Sequence, residues 1–408
     1  MFKKQAIPVA LAAALLGSPA AYAAAEFNPE ISLILDGRYQ SYSNDSDYEL
    51  PGFMLGGEAG RGKEGFNLGH NELVLSANID DRYYGKMTTV IADHDGETEV
   101  ELEEAFIETM GLGGGCAVKA GRFFSGIGYL NSQHPHSWDF ADAPLVYQGL
   151  FGGALRDDGL QLSWIAPTDT YLKLGLEATR GARFPAGGSA NDGAGAAAAF
   201  IKIGGDIGTS HAWQLGLSRW QAEVEERESG AGHTHGEESA HIHYSGDSDV
   251  TGIDLVWKWA PEGNATQQNF TFQAEYFLRN EEGEVEFAHE DESGSATLDG
   301  EQSGWYAQAV YQFIPRWRVG LRYDRLAADN RLSDFALSGI DEEAFAHETG
   351  LDNEGHDPSR TSVMLDHSRS EYSRIRLQLA RDDSYEESDT ILTLQYVMSL
   401  GAHGAHQF

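Results

Sequence analysis

In segment after segment of this chain, apolar residues recur at every second position. From Phe270 to Arg279, Phe270, Phe272, Ala274, Tyr276 and Leu278 share one face, and Thr271, Gln273, Glu275, Phe277 and Arg279 share the other. From Ser373 to Ala380, Ile375, Leu377 and Leu379 oppose Arg374, Arg376, Gln378 and Ala380. From Ile391 to Leu400, Leu392, Leu394, Tyr396, Met398 and Leu400 oppose Thr393, Gln395, Val397 and Ser399. A period of two describes an extended strand with two unlike faces. Beyond the N-terminus no stretch approaches the ~20 apolar residues that a spanning helix needs. Only helices and closed barrels satisfy every backbone group in lipid, so a membrane form of this chain has to be a β-barrel. A soluble sandwich alternates too, so the links between strands have to decide.

Sixteen strands are expected, at about 31–43, 68–80, 82–92, 99–110, 116–124, 157–166, 170–180, 196–205, 210–224, 248–260, 267–288, 302–313, 316–327, 359–367, 372–382 and 389–400. The links after even-numbered strands are tight, as at Asp80-Asp81, Pro167–Asp169 and Pro315. Most of the others are long: 44–67, 125–156, 181–195, 225–247, 289–301 and 328–358. Short periplasmic turns alternating with long extracellular loops, on an even strand count, are the habit of bacterial outer-membrane barrels. A sandwich has no reason to sort its loops by parity. Aromatics near strand ends, among them Tyr83, Trp164, Trp257, Trp305 and Trp317, suit interfacial girdles. The expected fold is all-β: a transmembrane antiparallel β-barrel of about sixteen strands.

The N-terminus fits that destination. Lys3 and Lys4, an apolar run from Ala6 to Leu16 and Ala21-Tyr22-Ala23 form a secretory signal peptide over 1–23. The barrel is then expected over 24–408, in the outer membrane of a Gram-negative bacterium. One cysteine, Cys116, excludes an internal disulfide and a multi-cysteine zinc site. A formal net charge of −36 argues against nucleic acid and favours attraction of cations.

The link 125–156 is too apolar for an exposed loop and too broken by Gly and Pro for strands. Such a composition suits a constriction loop that folds into the lumen and packs on the inner wall. It carries His134, His136, Asp139 and Asp142, and with Arg122, Lys173, Arg374 and Arg376 on neighbouring strands these are the expected pore residues. Ala120-Gly-Arg-Phe-Phe-Ser-Gly-Ile-Gly-Tyr129, Asp142-Ala-Pro-Leu-Val-Tyr147 and Leu155-Arg-Asp-Asp-Gly-Leu-Gln-Leu-Ser-Trp164 resemble the phosphate-selective porin O/P-like family, and most of all an uncharacterised branch linked to zinc uptake. The resemblance implies a sixteen-stranded porin assembled as a homotrimer. Phosphate selectivity is associated there with a ladder of Arg and Lys. Here acids outnumber bases 64 to 28, and the inward bases Lys173, Lys258, Arg318, Arg322, Arg374 and Arg376 face Glu177, Glu275 and Asp324, so that specificity does not carry over. The terminal Phe408 resembles the signal by which outer-membrane assembly machinery recognises its clients.

Between residues 225 and 247 two His-x-His pairs, His233/His235 and His241/His243, bracket Glu237 and Glu238. Imidazole and carboxylate are ligands for Zn²⁺ and similar borderline ions. The expectation is a flexible external loop that collects metal ions weakly, because tight binding would trap an ion instead of passing it. Isolated histidines (His94, His289, His347, His356) read as ordinary surface. Adjacent carboxylates such as Glu103-Glu104 and Asp382-Asp383 are expected by chance in so acidic a chain, and a strand turns neighbours to opposite faces. There is no Gly-x-Ser-x-Gly, His-Glu-x-x-His or Walker loop. The reading is a non-enzymatic channel in the lipid bilayer, needing no cofactor, for passive uptake of small solutes, preferentially cations or metal complexes, with zinc foremost. Its rivals are a TonB-dependent-type zinc receptor, for which the short segment before the first strand leaves no plug, and a barrel enzyme or adhesin.

Overall fold

The computed structural model describes residues 29–44, 48–94, 97–187, 191, 193–229, 240–384 and 387–401. The signal segment 1–23, the C-terminal residues 402–408 and His233, His235, Glu237 and Glu238 lie outside them. The strands are β1 (Glu30–Ser41), β2 (Gly65–Leu68), β3 (Asn71–Asn78), β4 (Tyr83–His94), β5 (Glu97–Thr109), β6 (Cys116–Phe124), β7 (Arg156–Ile165), β8 (Tyr171–Thr179), β9 (Ala196–Ile207), β10 (His211–Glu228), β11 (His241–Trp259), β12 (Asn269–His289), β13 (Glu292–Ile314), β14 (Trp317–Ser338), β15 (Ser359–Ser370), β16 (Ser373–Asp383) and β17 (Asp389–Gly401). Two helices, α1 (Leu145–Phe151) and α2 (Glu342–Glu348), lie in links between strands.

Each strand pairs antiparallel with its neighbours, and β1 pairs with β17 on one side and with β2 and β3 on the other. β2 and β3 lie end to end along β1, so the seventeen segments make sixteen staves of a closed barrel. Closure gives each of the sixteen staves a partner on both sides, the condition for a sheet in lipid.

The position of the bilayer can be read from β12. Its outward residues Phe270, Phe272, Ala274, Tyr276 and Leu278 are apolar, and Gln273, Glu275 and Arg279 are buried inside. Past Arg279 the pattern inverts. Glu282, Glu284 and Glu286 now face out, and Val285 and Phe287 are buried within. Five alternate residues span about the nine to eleven that a tilted strand needs to cross the hydrocarbon. The outward leucines and isoleucines of other strands, including Leu35, Leu162, Leu176, Ile203, Leu217, Leu321, Leu377 and Leu394, continue the apolar band around the barrel.

The same inversion explains where the expectations for β10, β11, β13 and β14 fell short, whereas β12, expected over 267–288, spans Asn269–His289. β12 has 21 residues and β13 has 23, far more than a crossing requires. They rise as a hairpin above the membrane, enclosing Val285, Phe287, Ala296 and Leu298. β10, β11 and β14 extend likewise. The links expected as loops over 225–247, 289–301 and 328–358 are therefore shorter, with β-ladder taking much of each. His241 and His243 stand on β11, opposite Ala288 and Glu286 of β12, not in a flexible loop. Ile242 and Tyr244, between and beside them, are buried inward, which turns the two histidines to the outer face with ring centroids 6.4 Å apart.

Candidate functional site

The link between β6 and β7 folds into the barrel. Its two feet are tied at the root, where Ser125 N–H donates to the Leu155 carbonyl at 3.0 Å. Asn131 closes the neck: its Nδ2 donates to the carbonyls of Ser125 and Leu155, and its Oδ1 accepts from Leu155 N–H. Pro144 opens α1, and Gly152, in the left-handed conformation (φ 60°), ends it. One side of this helix is a wedge of Val146, Tyr147, Leu150 and Phe151 in a buried cluster with Phe277, Tyr306 and Leu326 of the wall. The Tyr147 and Phe151 rings meet Phe277 nearly edge-on, at 5.7 and 5.0 Å.

A loop buried at membrane depth has to satisfy its backbone groups, and each one left unpaired costs roughly 1–3 kcal/mol. Charged and amide side chains of the wall supply the partners. Glu177 accepts from Ser125 Oγ and Gly126 N–H. Glu275 accepts from the N–H groups of Tyr129 and Leu130 and from the hydroxyls of Tyr147 and Tyr306. Lys202 donates to the Gly128 carbonyl and ion-pairs with Asp254. Asp324 accepts from Leu145 N–H, and Gln378 accepts from Ala141 N–H. Arg374 and Arg376 donate to the carbonyls of His136 and Trp138, at 2.7 and 2.8 Å. The alternation that looks like a mixed pore wall is, in this half of the barrel, largely a clamp on the loop.

The loop's own charges are paired as well. Asp139 lies 2.7 Å from Arg318; Asp142 lies 3.1 Å from Arg322 and 2.7 Å from Arg360. Burial alone would raise the Asp142 carboxyl, but Arg322 and Arg360 hold it down, at about 2. Of the expected pore residues, His134, His136, Asp139, Asp142, Lys173, Arg374 and Arg376 therefore lie inside the barrel. Lys173 does not touch the loop; its ammonium sits 5.8 Å from the centre of the Phe200 ring. Arg122 departs from expectation. It pairs in register with Asp158, on the strand face that carries the exposed Leu160 and Leu162, and its guanidinium is bound by Asp158 at 2.7 Å. Its alternation was misread because both Phe123 and Phe124, at the strand's end, are buried.

His134 and His136 meet a polar corner that sequence reasoning missed. A β-bulge in β5 sets Glu104 opposite Thr88 and Leu102 opposite Thr89, leaving Glu103 as the extra residue. Both Glu103 and Glu104 are consequently buried on the inner side, against the rule that neighbours face opposite ways. His134 Nδ1 lies 3.0 Å from Glu103 Oε2 and 3.3 Å from Glu72 Oε2; its Nε2 lies 2.8 Å from Glu104 Oε2. His136 Nδ1 lies 2.7 Å from Glu72 Oε1, His70 Nε2 lies 3.0 Å from Glu103 Oε1, and Lys86 Nζ lies 2.6 Å from Glu104 Oε2. Burial disfavours a charged His134 ring, but the surrounding carboxylates of Glu72, Glu103 and Glu104 outweigh it and raise its pKa to about 10. Among the described residues, Glu72, Glu103 and His134 form a group with the spacing to hold a metal ion.

No family model matches the chain. Solved structures share its fold. These include the loop-L8 deletion mutant of OmpT, an outer membrane protein of Vibrio cholerae (TM-score 0.53, 11% identity, 92% of this chain and 99% of that one), and the outer membrane channel DcaP of Acinetobacter baumannii (0.53, 13%, 92% and 97%). Pseudomonas putida OprB is another (0.52, 11%, 92% and 94%). The fold is that of these outer-membrane β-barrels. In sequence the chain is 32% identical over 414 residues to an uncharacterised protein of Aquifex aeolicus (strain VF5), covering 94% of this chain and 80% of that one. With that identity over nearly its whole length, the chain belongs to the same family as the Aquifex aeolicus protein.

Proposed function

We propose that this protein is an outer-membrane channel for passive uptake of small solutes, and that it prefers cations, with metal ions such as Zn²⁺ the solutes of choice. The observation that carries the reading is the loop 125–156 held inside a closed barrel with an apolar outer band. Such a loop sets an aperture without chemistry or an energy-coupling plug. Likeness in fold to an outer membrane channel supports it. The preference for cations rests on the external end, where Glu282, Glu284, Glu286, Glu290, Asp291, Glu292, Asp341, Glu342 and Glu343 are exposed. Clustered acids raise the local concentration of cations at the mouth. The His233–His243 segment acts there as a weak collector, removal of the segment 1–23 precedes insertion, and the barrel assembles as a homotrimer of the phosphate-selective porin O/P-like kind.

The test is the reversal potential of the purified protein in planar bilayers across a salt gradient, repeated with Zn²⁺ before and after residues 230–239 are replaced by Gly and Ser. Cation selectivity and a Zn²⁺ response that weakens on replacement are expected. Anion selectivity would overturn the charge argument, and an unchanged Zn²⁺ response would remove His233 and His235 from it.

A further inference from the structure

We infer that Glu72, Glu103 and His134 form a binding site for one divalent transition-metal ion, which pins the inward loop to strands β3 and β5. The site is distinct from the external histidines, and its ion need not be the solute that the channel passes. Each of the three residues offers one donor atom, all within 4.8 Å of one another, and His134 Nδ1 faces Glu72 Oε2 and Glu103 Oε2. The nitrogen is 3.3 and 3.0 Å from the two oxygens. A tetrahedral Zn²⁺ ion with bonds of about 2.0–2.1 Å sets its ligands about 3.3–3.4 Å apart, so a small adjustment admits the ion.

A second observation points the same way. The side chains of Glu72 and Glu103 are 0% and 2% exposed, yet these two oxygens, and the facing nitrogen of His134, are buried without a hydrogen bond of proper geometry. A buried carboxylate oxygen without a well-aligned donor is costly, and here two of them converge on one nitrogen. A cation seated among the three atoms satisfies all of them together.

The surroundings match what metal ligands require. Each ligand is oriented through its other polar atom: Glu72 Oε1 by His136 at 2.7 Å, Glu103 Oε1 by Arg156 Nη1, which donates to it at 3.3 Å, and His134 Nε2 by Glu104 at 2.8 Å. With Nδ1 on the ion, His134 carries its hydrogen on Nε2 and donates it to Glu104, the carboxylate–histidine–metal arrangement that fixes tautomer and ring orientation. Lys86, 2.6 Å from Glu104 Oε2 and 3.0 Å from His134 Nε2, balances that outer carboxylate. One nitrogen and two oxygens suit a borderline ion such as Zn²⁺ or Co²⁺ better than a soft one, and leave a fourth position for water.

The test uses the detergent-solubilised full barrel, stripped with a chelator and titrated with Zn²⁺ against a chromophoric competitor. Wild type is expected to bind one Zn²⁺ that E72Q/E103Q binds about 100-fold more weakly or not at all; the external histidines contribute equally to both. E104Q, which leaves all three donors in place, is expected to weaken the site by about 10–100-fold. Co²⁺ bound to wild type should show the visible absorption of a four-coordinate site, and H134A should lose it. Should E72Q/E103Q fail to fold, as judged by heat-modifiable migration, H134A carries the comparison because His134 lies on the loop and not on a strand. Equal Zn²⁺ affinity in wild type and in the folded variants would overturn the site.

Discussion

Glu275→Gln isolates the clamp on the inward loop with the loss of one acceptor. In the wild type, Oε2 accepts from Tyr129 N–H and the Tyr147 hydroxyl, both at 2.9 Å, and Oε1 accepts from Leu130 N–H at 2.9 Å and the Tyr306 hydroxyl at 2.5 Å. Glutamine keeps one acceptor oxygen and replaces the other with an NH₂. Either tyrosine hydroxyl can rotate and accept from that NH₂, but a backbone N–H cannot. Whichever way the amide turns, the N–H of Tyr129 or of Leu130 is left buried and unpaired, costing roughly 1–3 kcal/mol. Loss of charge assistance on the remaining bonds adds about 1 kcal/mol. Local opening of the loop should become easier by about 2–4 kcal/mol, or roughly 30- to 1,000-fold at one decade per 1.4 kcal/mol. Hydrogen exchange of the Tyr129 and Leu130 amides reads this directly, and open-channel current noise should rise with it. Unchanged exchange at both amides would refute the clamp, since a wall carboxylate without that role leaves them indifferent.

Other perturbations probe the same packing from different sides. Gly128→Ala places a Cβ at a φ of +60°, 2.4 Å from Glu275 Oε2, so it should reproduce the E275Q exchange pattern with Glu275 intact. Arg227→Ala leaves Glu281, 1% exposed, without its 2.5 Å partner; the barrel should lose about 3–5 kcal/mol in urea-driven unfolding from lipid vesicles, since Arg279 at 3.7 Å replaces it poorly. Asp142 has a depressed pKa, so its contribution is complete above about pH 4 and fades as pH falls through about 2. Wild-type conductance should therefore become noisy between pH 4 and 2, and D142N should be noisy already at pH 7; coincident pH profiles would remove Asp142 from the clamp.

The barrel was legible because period two is a direct imprint of lipid on one side and polar interior on the other. Strand β6 matched its expected limits of 116 and 124, and most others fell within a few residues. The misses have one physical cause. Above the hydrocarbon, β10, β11, β13 and β14 keep alternating with the faces exchanged, as at Leu298, buried within, and Asp299, exposed, and such a polar segment reads as loop when only the lipid pattern is sought. The site was half legible. The composition of 125–156 announced a packed loop, and alternation put Glu177, Glu275, Arg374 and Arg376 on the inner face. That they hold its backbone is a matter of tertiary distance. Glu103-Glu104 reads as a chance pair on opposite faces because a bulge, which leaves no mark in the periodicity, is what turns Glu103 to the same side as Glu104.

Single-channel conductance, compared between the intact protein and a variant in which residues 132–143 are replaced by a short Gly-Ser linker, tests the central claim most directly. An ohmic current that rises several-fold in the variant is the predicted result, because the linker retains Asn131 and α1 but empties the space of Trp138 and Phe140. Equal conductance in the two proteins, or no current through either, would contradict a channel narrowed by its inward loop.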